Sequence, residues 1–194
     1  MRVVVTGTPG TGKTSAVEAL EADPEFADAG LEVVHLNELI RDEDLWSERD
    51  EERDSLVADL DAVAERLADR DDLLVESHLA HHLDVRESRG DSRSPSETDV
   101  SEDADRVVVL RCHPEELERR LTGRGESEAK ARENAESEAL DVILSEAVNE
   151  HGVENVYEIE TTDRDPDEVA AEIAAVVSGD REPSAGTVSY LDYL

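Results

Sequence analysis

Short apolar runs alternate with longer amphipathic segments along this 194-residue chain. Five runs have the length and the Val, Leu and Ile content of buried strands, at residues 2–6, 30–36, 72–78, 105–112 and 154–161. Segments with apolar residues at helical spacing lie between and after them, at residues 13–22, 38–41, 55–70, 114–121, 126–149 and 166–177. Strands that alternate with helices are typical of right-handed βαβ units. The pattern therefore predicts one α/β domain with a five-stranded parallel sheet.

Two segments do not fit this alternation. Residues 84–103 are rich in Ser and charged side chains and poor in apolar ones, which predicts an exposed, mobile insertion between the third and fourth strands. Residues 179–194 begin with Gly and Pro but end in Tyr190, Leu191, Tyr193 and Leu194. We expect this apolar terminus to pack on the domain rather than bind a partner. The predicted organisation is a domain over residues 1–178 and a C-terminal tail over 179–194.

The charge of the chain is strongly negative. Asp and Glu number 52 against 19 Lys and Arg, which gives a formal net charge of −33, and only Lys13 and Lys130 are lysines. Acidic chains with few aromatic residues can be disordered, but the periodic apolar blocks favour a folded protein. In molar salt the Debye length falls to about 3 Å, which screens self-repulsion. We therefore interpret the acid as the solvated surface of a halophilic protein, not as evidence for a basic partner.

Three further observations concern the compartment. No run of about 18 apolar residues could span a membrane, and no charged-then-apolar leader precedes the first strand. A lone Cys112 excludes an internal disulfide framework and fits a reducing environment. We interpret Cys112 as a small core residue rather than a reactive thiol. These features predict a cytoplasmic protein.

The first strand runs directly into the glycine-rich stretch GTPGTGKTS, which satisfies the pattern G-x-x-x-x-G-K-[ST]. A strand before it and a helix after it are the context in which this pattern binds phosphate. Glycines let backbone N–H groups turn toward phosphate oxygens, and the helix adds its positive dipole end. The pattern predicts a nucleoside triphosphate with Lys13 at the β- and γ-phosphates and the Thr14 hydroxyl on Mg²⁺. The residues expected to contact the nucleotide are Gly10, Gly12, Lys13, Thr14 and Ser15.

Arginines are the candidates for neutralising the transferred phosphoryl group. The chain lacks the Asn-Lys-x-Asp and Asp-x-x-Gly motifs of a GTPase, whereas a small kinase needs cationic groups around the acceptor and the moving phosphate. Arg41 follows the second strand, and Arg119, Arg120 and Arg124 lie in ELERRLTGRGESE. Arg119 and Arg120 fit a solvated, ion-paired helix surface. Arg124 lies between two glycines, where packing gives no reason for a cation, so we predict a functional role for it.

An acidic residue and a histidine end the third strand in LLVESH. A carboxylate after an apolar strand is the Walker B arrangement, so Glu76 is expected to hold Mg²⁺ directly or through water. His78 lies two residues later. It either contacts a phosphate or the nucleophile, or it is an ordinary solvated side chain. His81 and His82 follow closely, but no sulfur ligand accompanies them, and solvated or ion-paired histidines are favoured over a zinc site.

Together these stretches resemble the atypical adenylate kinases related to the coilin-interacting nuclear ATPase, a family implicated in maturation of the small ribosomal subunit. The similarity covers most of the chain, in the order VTGTPGTGKTS, LNELIRDEDL, LLVESH, VVVLRC and ERRLTGRGESEAKARENAESE. The phosphate loop is common to many NTPases, whereas the acid-x-His after the third strand and the short Arg-Gly lid are much more specific. The resemblance implies a nucleoside-monophosphate-kinase fold with an acceptor region at about residues 30–53 and a lid at about 123–133.

The resemblance also implies an activity and partners. It implies ATP and Mg²⁺ binding, phosphoryl transfer to AMP-like acceptors, ATPase activity, and association with the eleventh small-subunit ribosomal protein and the pre-30S particle. The expected catalytic residues are Lys13, Glu76, His78 and Arg124, with Arg124 contacting ATP and Arg41 addressing the acceptor phosphate. Two features depart from the family: Glu76 stands where Asp is common, and the 84–103 insertion follows where a shorter connection is expected.

Two other functions stay open from the residues alone. One is a ribosome-assembly factor in which ATP hydrolysis is a timer and AMP is incidental. The other is a kinase of a different small acceptor, such as a shikimate-type enzyme. The first is distinguished from a nucleotide kinase by whether AMP yields ADP faster than ATP alone is hydrolysed.

Overall fold

A five-stranded parallel sheet forms the centre of the computed structural model, which describes residues 1–50, 55–83 and 106–194. The strands of the described residues are β1 (Arg2–Thr6), β2 (Glu32–His35), β3 (Trp46–Asp50), β4 (Ser55–Ala58), β5 (Leu73–Glu76), β6 (Arg106–Arg111) and β7 (Val156–Glu160). The order in the large sheet is β2-β5-β1-β6-β7, and β3 and β4 pair separately and antiparallel. The predicted five-stranded parallel sheet is thus confirmed.

Helices cover both faces of the sheet. Those in the described part of the chain are α1 (Lys13–Glu21), α2 (Pro24–Ala27), α3 (Leu36–Asp42), α4 (Leu60–Leu67), α5 (Pro114–Gly123), α6 (Glu128–Ala139), α7 (Val142–His151) and α8 (Pro166–Ser178). Short 3₁₀ turns lie at Ala80–His82, Val153–Asn155 and Leu191–Tyr193. None of the helices in these described ranges is long and apolar enough to cross a membrane.

The central strand β1 is apolar throughout because both of its faces are buried. Val3 and Val5 belong to a cluster with Leu20 of α1 and Ile173 of α8. Val4 belongs to the cluster on the opposite face, to which α4 and α7 contribute. A parallel strand covered on both sides reads as a continuous run rather than an alternation. This explains why the first strand was predictable from its continuous apolar run.

The predicted helix over residues 55–70 is wrong in its first part. Leu56 and Val57 have the spacing of that helix, but they lie in β4, which forms a hairpin with β3. The helix α4 begins only after Asp59, whose side chain accepts a hydrogen bond of 3.1 Å from the Ala62 N–H. An Asp at this position is a strong helix N-cap, so the helix starts there. The hairpin places two strands beside the end of the parallel sheet.

The predicted helix over residues 126–149 is also wrong, because the segment forms two helices. α6 ends at Ala139, and Asp141 has a left-handed backbone with φ of 55°. The Asp141 carboxylate pairs with the buried Arg111 guanidinium at 2.5 Å. That long-range ion pair accompanies the break. The second predicted strand is shorter than expected as well, since Leu36 already belongs to α3.

The ends of the chain and the lone cysteine complete the fold. Tyr190 in the tail is buried and donates a hydrogen bond to Glu160, whereas Leu191 and Leu194 stay exposed. Cys112 is fully buried, as a core residue should be, and burial raises the pKa of its thiol to about 11. The predicted insertion at residues 84–103 lies outside the described residues.

Candidate active site

The phosphate-binding loop connects β1 to α1 at the carboxyl end of the central strand. Gly7 has φ of 139°, and a Cβ there would lie 2.4 Å from the Leu110 carbonyl oxygen, so only glycine fits. Gly12 has φ of 90° and immediately precedes the first residue of α1. The backbone conformations favour glycine, and the loop opens onto the N-terminus of a helix, where anions are bound favourably.

Neighbouring elements hold this loop in place. Thr11 Oγ1 donates to the Thr8 carbonyl at 2.9 Å. Thr161, at the end of β7, donates through Oγ1 to the Thr11 carbonyl at 2.9 Å. These bonds leave the loop's shape determined by the fold before any ligand binds.

Lys13 lies within the loop rather than in solvent. Its Nζ donates to the carbonyl oxygens of Gly7 at 2.7 Å and Thr8 at 3.1 Å. Burial lowers the pKa of Lys13 to about 8, although the carboxylates of Glu76 and Glu138 oppose that shift. The ammonium group is therefore held where the loop would receive phosphate.

Glu76 and Thr14 meet at the same edge of the sheet. Glu76 is the last residue of β5, in register with Val5 of β1 and His35 of β2. Thr14 Oγ1 lies 3.4 Å from both carboxylate oxygens of Glu76. Hydroxyl and carboxylate oxygens are ligands that Mg²⁺ prefers, and oxygens bound at about 2.1 Å lie about 3–4 Å from each other. The donor set and its spacing therefore fit a magnesium ion.

His35 is a member of this site that sequence analysis missed. Its Nδ1 lies 3.2 Å from Glu76 Oε2, and its Nε2 lies 3.3 Å from Glu21 Oε2. Burial would lower the pKa of His35, but the hydrogen bonds to Glu76 and Glu21 raise it above its ordinary value. The only sequence signal was its place at the end of a strand next to the Walker B strand.

A cleft of about 470 Å³ lies on the β2–β5 side of the loop. Arg41 of α3 and His78 both line it, as expected for an acceptor site, and the β3–β4 hairpin forms part of its wall. Arg49, on β3, is a second arginine in this cleft that sequence analysis missed because the hairpin was not foreseen. Burial, and then the nearby Lys13 charge, lower the pKa of His78 to about 4, so its ring is neutral at physiological pH.

A second cleft of about 240 Å³ lies on the β6–β7 side. Gly12 and Ser15 contribute to it, together with Arg124 and two further arginines, Arg120 and Arg164. Arg124 is the first residue after α5 and begins the short connection to α6. Two of the positions predicted to bind the nucleotide, Gly12 and Ser15, thus line one cleft with the predicted lid arginine.

Arg119 and Arg120 differ in their surroundings. Arg119 is 73% exposed and pairs with Glu116, so its predicted role as a solvated ion-pairing residue is confirmed. Arg120 also pairs with Glu116, but it is only 20% exposed and donates to the Thr161 carbonyl at 3.0 Å. Arg120 therefore belongs to the wall of the second cleft.

A buried ionic network links the phosphate-binding loop to α6, the helix that follows the short connection beginning at Arg124. Thr8 Oγ1 donates to Glu138 Oε2, and Glu138 Oε1 accepts from Arg111 Nε at 2.7 Å. Arg111 also pairs with Asp141 and Glu158. In the sequence these carboxylates are indistinguishable from the acidic surface, so no signal could have identified them.

Solved structures with related folds include two kinases and a sulfotransferase. A gluconokinase from Sinorhizobium meliloti has a TM-score of 0.53 at 20% identity, covering 92% of this chain and 91% of that one. A shikimate kinase from Bacteroides thetaiotaomicron has a TM-score of 0.54 at 14% identity, covering 92% and 98%. At these identities the likeness shows the fold alone.

Sequence relatives give a closer relationship. The AAA domain family matches residues 3–141. The chain is 57% identical to a protein of Natronomonas pharaonis and 55% identical to one of Halobacterium salinarum, in both cases over the full length of both chains. It is 39% identical to one of Methanosarcina acetivorans, covering 91% of this chain and 86% of the relative. All three relatives bear the name "Putative adenylate kinase". The chain therefore belongs to the AAA domain family and, within it, to the archaeal group that carries this name.

Proposed function

We propose that this protein is a nucleoside monophosphate kinase of the adenylate kinase type, which transfers the terminal phosphate of ATP to AMP or a similar acceptor. The observation that carries the proposal is the pair of arginine-lined clefts on opposite sides of one phosphate-binding loop. A kinase with two nucleotide substrates needs two such sites meeting at the transferred phosphate. The names of the archaeal relatives support the same activity.

Each side of the site has a distinct task in this proposal. The loop backbone and Lys13 hold the β- and γ-phosphates of ATP, and Arg124 closes over them from a lid at residues 123–133. Arg41 and Arg49 receive the acceptor phosphate in an acceptor region at about residues 30–53, of which the structure describes 30–50. Leu56 and Ala58 contribute to the wall of the same cleft. Mg²⁺ held by Thr14 and Glu76 would neutralise charge on the β- and γ-phosphates.

The chemistry needs no covalent enzyme intermediate. Phosphoryl transfer depends chiefly on in-line positioning and charge neutralisation. His78 is neutral at physiological pH because of its low pKa, so it acts through hydrogen bonds rather than as a cation. Water that enters the acceptor cleft in place of a nucleotide would account for ATPase activity.

A coupled assay of ADP formation tests the proposal. Purified protein in molar KCl with ATP and Mg²⁺ is offered AMP, CMP, GMP and UMP in turn, and at least one should accelerate ADP formation well above hydrolysis of ATP alone. Arg41→Ala should raise the KM for that acceptor about tenfold or more, because a charge-assisted contact to phosphate is lost. Arg119→Ala is the matched control, since Arg119 is 73% exposed, pairs with Glu116 and lies outside both clefts and outside the lid. Failure of every acceptor to accelerate ADP formation would refute a nucleotide kinase.

We propose as a second function a role in late maturation of the 30S subunit, through binding of the eleventh small-subunit ribosomal protein. The family resemblance carries this proposal, and the net charge of −33 is compatible with it, because an acidic surface can shield a basic partner. At molar salt such attraction is screened, so specific packing must supply most of the affinity. ATP can bias the complex only by binding the free and partnered states differently.

A pull-down with the purified ribosomal protein tests this second function. It is done in high KCl, with and without ATP–Mg²⁺, beside Lys13→Ala. The proposal is supported if the parent protein binds the ribosomal protein in high KCl and ATP–Mg²⁺ changes that binding, whereas binding by the Lys13→Ala protein does not respond to ATP–Mg²⁺. No binding in any nucleotide state, or binding that vanishes above physiological salt, contradicts it.

We also place the protein in the cytoplasm of a halophile, a proposal supported by its charge, by relatives from halophilic archaea and by the buried Cys112.

A further inference from the structure

Two histidines after β5 face two carboxylates of α7. His81 Nε2 lies 3.1 Å from Glu146 Oε2, and His82 Nδ1 lies 2.8 Å from Glu150 Oε1. The two imidazole rings are adjacent, with centroids 4.0 Å apart. These histidines are thus hydrogen-bonded to carboxylates rather than freely solvated. The carboxylates come from a helix more than sixty residues away in sequence, so histidine spacing alone gave no sign of them.

The ligand atoms are close enough to share one ion. One atom each from His81, His82 and Glu146 lies within 4.8 Å of the others. Zinc binds imidazole nitrogen and carboxylate oxygen at about 2.0–2.2 Å, so ligand atoms in a tetrahedral site lie about 3.4 Å apart. Small side-chain rotations would bring the three atoms to that spacing.

The surroundings of the histidines are those of metal ligands. Metal-binding histidines almost always hydrogen-bond through their second ring nitrogen. His81 Nδ1 lies 2.9 Å from Thr6 Oγ1, so the other ring nitrogen, Nε2, faces Glu146 and is the one that could bind the ion. Glu150 holds Nδ1 of His82 in the same way. The His81 side chain is 1% exposed, whereas those of His82 and Glu146 are 30% and 43% exposed, so an ion could enter from solvent.

We propose that His81, His82 and Glu146 bind a divalent transition-metal ion, with Zn²⁺ the best match, at a site separate from the Thr14–Glu76 magnesium site. Two imidazoles and one carboxylate favour zinc-type ions over Mg²⁺ or Ca²⁺, which prefer oxygen ligands alone.

The bound ion would connect the 3₁₀ turn after β5 to α7. Thr6, which holds the His81 ring, is the last residue of β1 before the phosphate-binding loop. The ion would therefore stabilise the base of the candidate active site without touching substrate. Its detection does not depend on the proposed kinase activity.

Cobalt substitution tests the site directly. The full-length protein is stripped of metal with EDTA, exchanged into molar KCl and titrated with Co²⁺. One equivalent should give the visible ligand-field absorption of a low-coordinate site with nitrogen ligands, and Zn²⁺ should displace it. Zn²⁺ should also raise the Tm of the parent protein. His82→Ala and Glu146→Gln should both abolish the absorption and the Tm shift. Both side chains are partly exposed, so the variants should fold, which circular dichroism checks.

His35→Gln is the matched control, because His35 also lies beside two carboxylates, Glu21 and Glu76. It should keep the cobalt spectrum. Loss of the spectrum in His35→Gln with retention in His82→Ala would move the ion to the other histidine and overturn the proposal. Absence of ligand-field absorption would overturn the proposal. Cobalt binding that is unchanged by all three substitutions would indicate diffuse association with the acidic surface and would overturn it as well.

Discussion

Lys13 is the residue on which turnover should depend most. Its Nζ is buried in the phosphate loop, and the only other lysine, Lys130, lies on α6 and pairs with Glu126. Lys13→Ala should lower kcat by about 10²–10³-fold, the usual cost of removing a preorganised group that stabilises transition-state charge. ADP formation with and without AMP measures the loss. Arg119→Ala again serves as control, and unchanged phosphoryl transfer in a folded Lys13→Ala protein would remove the loop from the mechanism.

Binding of ATP should be linked to the protonation of Lys13. Burial holds the pKa of this lysine at about 8 in the free protein, and bound phosphates must raise it because they favour the charged form. Above the free pKa, binding therefore takes up a proton, and below it the lysine is already charged.

Calorimetry of ATP–Mg²⁺ binding in buffers of different ionisation heat measures that uptake. We expect proton uptake at about pH 9 and little at about pH 7. The Lys13→Ala protein should show no uptake at either pH. An equal uptake in that variant would assign the proton to another group.

Site residues were predictable only where they belong to a recognisable motif of consecutive residues. The phosphate loop and the acid at the end of β5 follow from local motifs, and the sheet brings Glu76 to Thr14 because neighbouring parallel strands end at one edge. Arg49 and His35 carry no such motif. They join the site through strand pairing and the hairpin, which are long-range events.

At the level of elements, α6 is fixed to the phosphate loop through one buried carboxylate. Glu138 accepts from Thr8, Arg111 and the Cys112 N–H. Glu138→Gln should lower the free energy of unfolding by about 2 kcal/mol, because an amide NH₂ cannot accept the hydrogen bonds that the lost carboxylate oxygen accepts, although Arg111 keeps Asp141 and Glu158 as charged partners. Urea unfolding in molar KCl measures the change.

Glu136→Gln is the control on the same helix. Glu136 pairs with Arg132 but is 48% exposed, so its loss should cost less than about 0.5 kcal/mol. Equal effects of the two substitutions would show that the buried network contributes no more than a surface pair.

Two features that sequence analysis missed, the strand β4 and the break before α7, have a common physical origin. Leu56 and Val57 continue the apolar spacing of α4, so the strand they form cannot be distinguished from a helical turn without its partner β3. The break before α7 involves Asp141, whose left-handed backbone accompanies its ion pair with Arg111. Periodicity reports which face of an element is buried, but it does not report a partner distant in sequence.

At the level of the whole molecule, stability should depend on salt. A net charge of −33 on 194 residues repels itself in the compact state, and added salt screens that repulsion. The Tm should rise steadily from low to multimolar KCl. Sucrose at matched osmolality is the control for preferential exclusion, which also stabilises folded proteins. A Tm that is flat or falls with KCl would contradict the halophilic interpretation.

The hydrogen bonds that hold the phosphate loop also set an order in time. The loop is made within the first fifteen residues, yet Thr8 bonds to Glu138 and Thr11 accepts from Thr161, 130 and 150 residues later. At a synthesis rate of about 5–20 residues per second, the loop waits about 10–30 s for its last partner. A growing chain therefore carries the nucleotide motif long before it can hold a nucleotide in the finished geometry, and a bound nucleotide would stabilise the protein only when synthesis is nearly complete.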